Sequence, residues 1–151
     1  MKNEIKVRFG IDTIREDLFR VSHQLPKSIS PNKLQLRYLV ESEIIQRKER
    51  IRVQTGVIYS VEGESLCEFI ISTTFYLEPF SEIVSIDENR KTVSFKTEVV
   101  STLLNIAFGI LRGALYEKTK GTPLASFPLP LIPIPELVGM NRFKLEKEII
   151  N

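Results

Sequence analysis

This chain of 151 residues contains a single cysteine, Cys67, and a single histidine, His23. A lone cysteine excludes an internal disulfide and a multi-cysteine zinc cluster, and a lone imidazole excludes any site that needs two. Most metalloenzymes and histidine relays are thereby removed, and no phosphate loop of the Walker type is present. A surplus of charge is also missing. The 21 basic and 19 acidic residues leave +2 spread along the chain, without the concentrated stripe that nucleic acid selects. No nucleic-acid partner is expected. The most apolar run, Leu103 to Leu111, is short and interrupted by Asn105 and Gly109, whereas a membrane span needs about 20 apolar residues. No membrane insertion is expected. Met1 to Asp12 lack the apolar core and cleavage site of a secretory leader, and with the lone cysteine this leads to the expectation of a cytoplasmic protein.

The remaining composition is ordinary, with 42% hydrophobic and 26% charged residues. A chain of this length buries roughly 68–70% of its unfolded surface, so one domain over 1–151 with a real core is expected. Strand patterns come first. Ile5, Val7, Phe9 and Ile11 alternate with polar residues, and Asp12 to Leu18 then read as a short helical turn capped by Asp12 or Thr13. After a loop marked by Pro26 and Pro31, Leu34, Leu36, Tyr38 and Val40 share one parity and predict a strand to about Gln46. Ile51, Val53, Val57, Tyr59 and Val61 predict a half-buried strand. Gly63 suits a tight hairpin into a second arm, whose core face is Cys67, Phe69, Ile71, Thr73, Phe75 and Leu77. Pro79 ends that arm, and a turn at Asp87-Glu88-Asn89 is expected between two short extended pieces.

From Thr97 the period becomes helical. Val100, Leu103, Leu104, Ala107, Leu111, Ala114 and Leu115 form one stripe, with Thr97 as the expected N-cap and Gly121 as the stop. Val99, Ile106, Phe108 and Ile110 widen this stripe, which predicts a second contact surface used for self-association, and Gly109 and Gly113 would permit a close crossing there. The segment from Phe127 to Pro135 has four prolines and must be extended. Pro135-Glu136-Leu137 then opens a short terminal helix, with Leu137, Val138, Phe143, Leu145 and Ile149 as apolar contacts.

This order of elements resembles the SecB family of preprotein-export chaperones. The residues that carry the resemblance are Leu66-Cys67-Glu68-Phe69 with Phe75 on the last hairpin arm, Arg112-Gly113 near the end of the long helix, Gly121-Thr122 in the following turn, and Leu129-Pro130 in the covering loop. It spans about Leu34 to Val138. Residues 1–30 diverge, and the acidic docking surface for the SecA motor is not recognisable. The resemblance implies an α+β fold: an antiparallel sheet of about four strands, one long helix packed on it, a proline-rich covering loop and a short C-terminal helix. It also implies a non-enzymatic, ATP-independent holding chaperone of unfolded or preprotein polypeptides that needs no cofactor, or alternatively a module dedicated to one partner, such as an antitoxin-chaperone or assembly factor. A homo-oligomer, dimer or tetramer, is expected.

The residues expected to bind a client are Phe75, Tyr76, Leu77 and Phe80 at the end of the last strand, with Phe127, Leu129 and Leu131 on the proline-rich segment. Two such apolar walls would hold an extended hydrophobic segment by area burial, with little demand for sequence. Other candidates read as structure. His23 lacks a placed nucleophile or carboxylate, Cys67 falls in a core parity class, and Glu41, Glu43, Glu62 and Glu64 belong to solvated edges and turns. Arg47, Lys48, Arg50 and Arg52 form the densest basic run. They read as a solvated hairpin end, with an acidic partner or a phosphate as the functional alternative.

Overall fold

The computed structural model describes residues 6–87, 89–90 and 92–145. Long amphipathic strands build a five-stranded sheet from β1 (Arg8–Val21), β2 (Leu34–Ile45), β3 (Arg50–Val61), β4 (Glu64–Glu78) and the short β7 (Arg142–Leu145), in the order β1-β4-β3-β2-β7. Strands β2, β3 and β4 form an antiparallel meander, and β1 returns beside β4 in Greek-key fashion. Glu62 and Gly63, both at positive φ, make the β3–β4 hairpin as a two-residue turn. The helix α1 (Phe80–Ile83) leads into a small ribbon of β5 (Val84–Asp87) and β6 (Thr92–Phe95), which carries the expected extended pieces. Glu88 of the expected turn lies outside the described residues, as do Ile5 and Ile149.

The helical turn expected at 12–18 is strand instead. β1 runs through it, but two bulges leave Asp12 and Asp17 without a paired residue on β4. Each bulge switches parity, so the residues sharing the helix-covered face are Phe9 and Ile11, then Ile14 and Glu16, then Phe19 and Val21. An alternation broken twice imitates a helical period over a short window. Both bulge aspartates turn to the opposite face, where Asp12 accepts from Arg50 and Asp17 from Gln54, tying β1 across β4 to β3.

The fifth strand was not expected. β7 pairs parallel with Glu41–Ile44 of β2, and Ser42 Oγ donates to Asn141 Oδ1 at 2.7 Å just before it. Its Arg-Phe-Lys-Leu sequence is too short to show a period. α3 (Ile134–Met140) takes the place expected for the short terminal helix.

The long helix α2 (Thr97–Thr119) lies across the sheet face made by the odd residues of β3 and β4. Its N-cap is Lys96, with no side-chain cap bond, instead of Thr97. By length and composition α2 is apolar enough to cross a membrane, but here it is the core helix, burying Val100, Leu103, Leu104, Ala107, Phe108, Leu111 and Leu115. The core has two halves. One gathers Ile51, Val53, Phe75 and Leu77 under Val100 and Leu103, and the other gathers Val57, Tyr59 and Phe69 under Phe108 and Leu111. Thr55 and Thr73 lie at the waist, buried and with hydroxyls that meet no hydrogen-bond partner among the described residues.

Candidate functional site

The two sets of residues expected to form one client-binding surface are separated by the length of the sheet. Phe75, Leu77 and Phe80 are buried in the first half of the core. Phe127 and Leu129 belong to the second half, where the Tyr59 hydroxyl donates to the Phe127 carbonyl at 2.6 Å. Tyr59 pairs with Cys67 on β4, and Phe75 lies eight residues further along that strand, or about 26 Å at the rise of an extended chain. The parity assigned to Phe75 and Leu77 is that of the strand's buried face, so α2 covers them. Tyr76 has the other parity and is half-buried on the outer face, beneath the Arg50 guanidinium at 5.9 Å.

The proline-rich segment forms a site at its own end of the molecule. Residues 127–133 run without regular structure between a 3-10 turn, Pro123–Ser126, and α3. Prolines leave carbonyls without a neighbouring N–H to pair them in a ladder, so other donors must come to the chain. Tyr59 supplies one. Arg112 on α2 supplies two, from Nε to the Leu129 carbonyl and from Nη2 to the Pro130 carbonyl, both at 3.0 Å. The same guanidinium lies 5.5 Å from the Phe108 ring, which in turn meets Tyr38 edge-on at 5.7 Å. In the sequence Arg112 stands out only in the Arg112-Gly113 pair near the end of the long helix; the signal for its clasp is the need of a proline run for outside donors.

This clasp leaves an apolar rim. Leu129 is buried, but Leu131 is 85% exposed, Ile134 is 44% exposed and Tyr116 is 51% exposed. Half-buried Leu34, Leu36, Tyr38, Ile110, Phe127 and Ile132 pack on the second half of the core nearby. β2 adds backbone capacity, because β7 pairs only with Glu41–Ile44 and leaves Leu34–Val40 without a strand on that side among the described residues. Extended chain could be met there by apolar side chains and by free ladder groups.

The surface expected for self-association is divided as well. Phe108 is only 1% exposed and is a core residue, because it points at Tyr38 on β2. Val99, Ile106 and Ile110 are half-buried at the flanks of α2. Gly109 and Gly113 face open space, with nothing within 4 Å of where a Cβ would stand, so no described element crosses the helix there.

Cys67 is buried and its thiol is pushed up to about 11 by burial, with the Glu68 charge adding to the effect. Burial likewise raises Tyr59 and, more weakly opposed by Arg112, Tyr38. His23 is exposed in the β1–β2 loop. Burial would raise Asp17, but hydrogen bonds from Ser72, Gln54 and Arg15, with the Arg15 charge, outweigh it and hold this carboxyl below its ordinary value.

No known family profile matches the chain, and no curated protein matches it by sequence. The structure is similar to the SecB-like chaperone Rv1957 of Mycobacterium tuberculosis, solved in complex with a ChAD peptide from the Rv1956 HigA1 antitoxin. The TM-score is 0.53 at 14% identity, over 83% of this chain and 91% of that one. The two chains therefore share an architecture that their sequences barely show: the fold of this protein is SecB-like.

Proposed function

We propose that the chain is a non-enzymatic holding chaperone of the cytoplasm that binds non-native polypeptide without ATP. The exposed apolar rim on the clasped proline-rich segment carries this reading. Leu131 and Ile134 stand in solvent beside half-buried Phe127 and Ile132, and an apolar surface held in place by Arg112 and Tyr59 is suited to bury extended segments of varied sequence. The SecB-like fold, shared with a chaperone solved with a bound peptide, supports a polypeptide as the partner. Within the proposed site Phe127, Leu129 and Leu131 act from the segment itself, with Leu129 anchoring it. The groups at Phe75, Leu77 and Phe80 support the sheet from within the core, and Tyr76 lies on the outer face.

The chain is further proposed to self-associate, with Val99, Ile106 and Ile110 flanking the open glycine face of α2. The second reading, a module dedicated to one antitoxin-like or assembly partner, uses the same rim. The deciding experiment measures suppression of aggregation of several unrelated unfolded proteins without ATP. Suppression that is general and is weakened by Leu131→Ser supports the holding chaperone. If no client is held at stoichiometric amounts, the reading fails.

A further inference from the structure

The sheet face opposite α2 carries a feature that client holding does not use. Its rows follow from the register: Gly10, Tyr76, Arg50 and Ile45 stand side by side, and the next row is Thr13, Thr74, Arg52 and Glu43. Between these rows and the end of the β2–β3 hairpin lies a pocket of about 460 Å³, lined by Asp12, Thr13, Lys48, Arg50, Arg52 and Thr74 together with Ile45. Three cations thus stand against one carboxylate.

The pocket is organised around Arg50. Its Nη1 donates to the Lys48 and Glu49 carbonyls at 3.1 and 3.3 Å, and its Nε reaches Asp12 at 3.4 Å, a long and weak contact. Its guanidinium carbon lies 5.9 Å from the centre of the Tyr76 ring, and Tyr76 can lie across β1 because residue 10 is glycine; a Cβ there would collide with the Tyr76 hydroxyl. The two N–H groups on Nη2 have no partner among the described residues. Lys48 likewise pairs with no described carboxylate, whereas Arg52 already commits one nitrogen to Glu43 at 2.8 Å. Fixed and unused donors beside an unpaired ammonium are what a carboxylate needs.

We propose that this pocket is a docking site for an acidic side chain, Asp or Glu, presented by a polypeptide partner. The mixture of signs on the same face favours this ligand over nucleic acid. Glu43 and Glu41 follow within the next two rows, beside Asp17, and would repel the continuous charge of a phosphodiester chain, whereas a discrete carboxylate in the pocket meets only Asp12 against its three cations. The site lies on the face opposite the proline-rich rim, so a partner docked here leaves that rim free. It stands independently of the holding activity.

The test is fluorescence anisotropy of two labelled peptides, one with a central Asp-Glu pair in a Gly-Ser frame and one with Asn-Gln instead, at about 20 mM salt, where surface charges are little screened. The acidic peptide binds saturably and the neutral one does not. Lys48→Glu weakens the acidic peptide at least about fivefold, the scale of a good exposed ion pair, and as an unpaired surface residue it leaves the fold intact by circular dichroism. Lys48→Glu combined with Arg50→Gln removes measurable binding. Equal binding of both peptides, an unchanged affinity in Lys48→Glu, or tighter binding of a single-stranded RNA at the same site overturns the proposal.

Discussion

Arg112→Ala releases the proline-rich segment without touching its own sequence. The substitution removes two charge-assisted hydrogen bonds, to the carbonyls of Leu129 and Pro130, and such bonds contribute about 1.5–3 kcal/mol each where both partners are buried. The two sites differ. Leu129 is 3% exposed, so its carbonyl loses a partner that water cannot readily replace, whereas Pro130 is exposed and its carbonyl is rehydrated. The guanidinium also leaves the Phe108 ring, a contact of roughly 0.5–1 kcal/mol at a partly open site. The total comes to about 2–4 kcal/mol, which lowers the folding equilibrium constant roughly 30- to 700-fold. Urea denaturation reads this as a lower midpoint with an unchanged slope. Arg112→Lys keeps the charge but loses the fork, and falls between the two. Limited proteolysis should cut Arg112→Ala within residues 127–133 before the sheet is attacked. A variant with the wild-type midpoint and cleavage pattern would refute the claim that Arg112 holds the segment.

Phe75→Ala and Phe108→Ala each cost about 3–5 kcal/mol by thermal or urea unfolding, because both rings are buried in the monomer; Leu131→Ser changes stability by less than about 0.5 kcal/mol and shows its effect only in client binding. The Cys67 thiol, pushed up to about 11, reacts slowly with a thiol reagent at pH 8, and labelling as fast as that of an unfolded control contradicts the burial. Asp17 is held below its ordinary value, so its stabilisation is fully present above that value and is lost as pH falls through the lower folded value; Asp17→Asn should flatten this acidic limb of the stability curve. Ile106→Asp together with Ile110→Asp should leave a monomer by light scattering where the parent chain self-associates, and a monomeric parent at tens of micromolar, roughly the range of weak interfaces, removes the self-association proposal.

The meander was legible because its alternation is unbroken. Leu34 to Val40, Ile51 to Val61 and Cys67 to Leu77 each keep one parity from end to end, and the one register slip in the meander, between Tyr59 and Ser60, falls at the hairpin end of β3 and β4, beyond Cys67. Helix α2 was legible because its stripe persists from Val100 to Leu115. β1 was hidden by its two bulges. Asp12 and Asp17 each add one residue, and a period-2 pattern interrupted after a few residues cannot be told from a turn of helix. β7 was hidden for a different reason: four residues held by parallel pairing to β2 owe their conformation to that neighbour and to the Ser42–Asn141 bond, not to their own pattern.

The functional residues show the same division between local and non-local information. Parity correctly placed Phe75 and Leu77 on the face that α2 covers, and that same parity is why they cannot also line an open surface of the folded monomer. Sequence proximity to Phe75 said nothing about Phe127, which is brought to the far end of β4 by the Tyr59 hydroxyl. What makes the proline-rich segment a defined surface is its set of outside donors, and those sit on β3 and α2, far from it in sequence. Tyr59 and Arg112 could therefore be identified as its supports only once the strand register and helix position were fixed. Leu131 shows the same limit: it follows Pro130 on a segment unable to enter a helix or a ladder and stands 85% exposed, yet Leu129, flanked on both sides by Pro128 and Pro130, is 3% exposed. Which leucine of the segment anchors it and which stands open to a client is thus decided by the fold, through the donors that Tyr59 and Arg112 bring to its carbonyls.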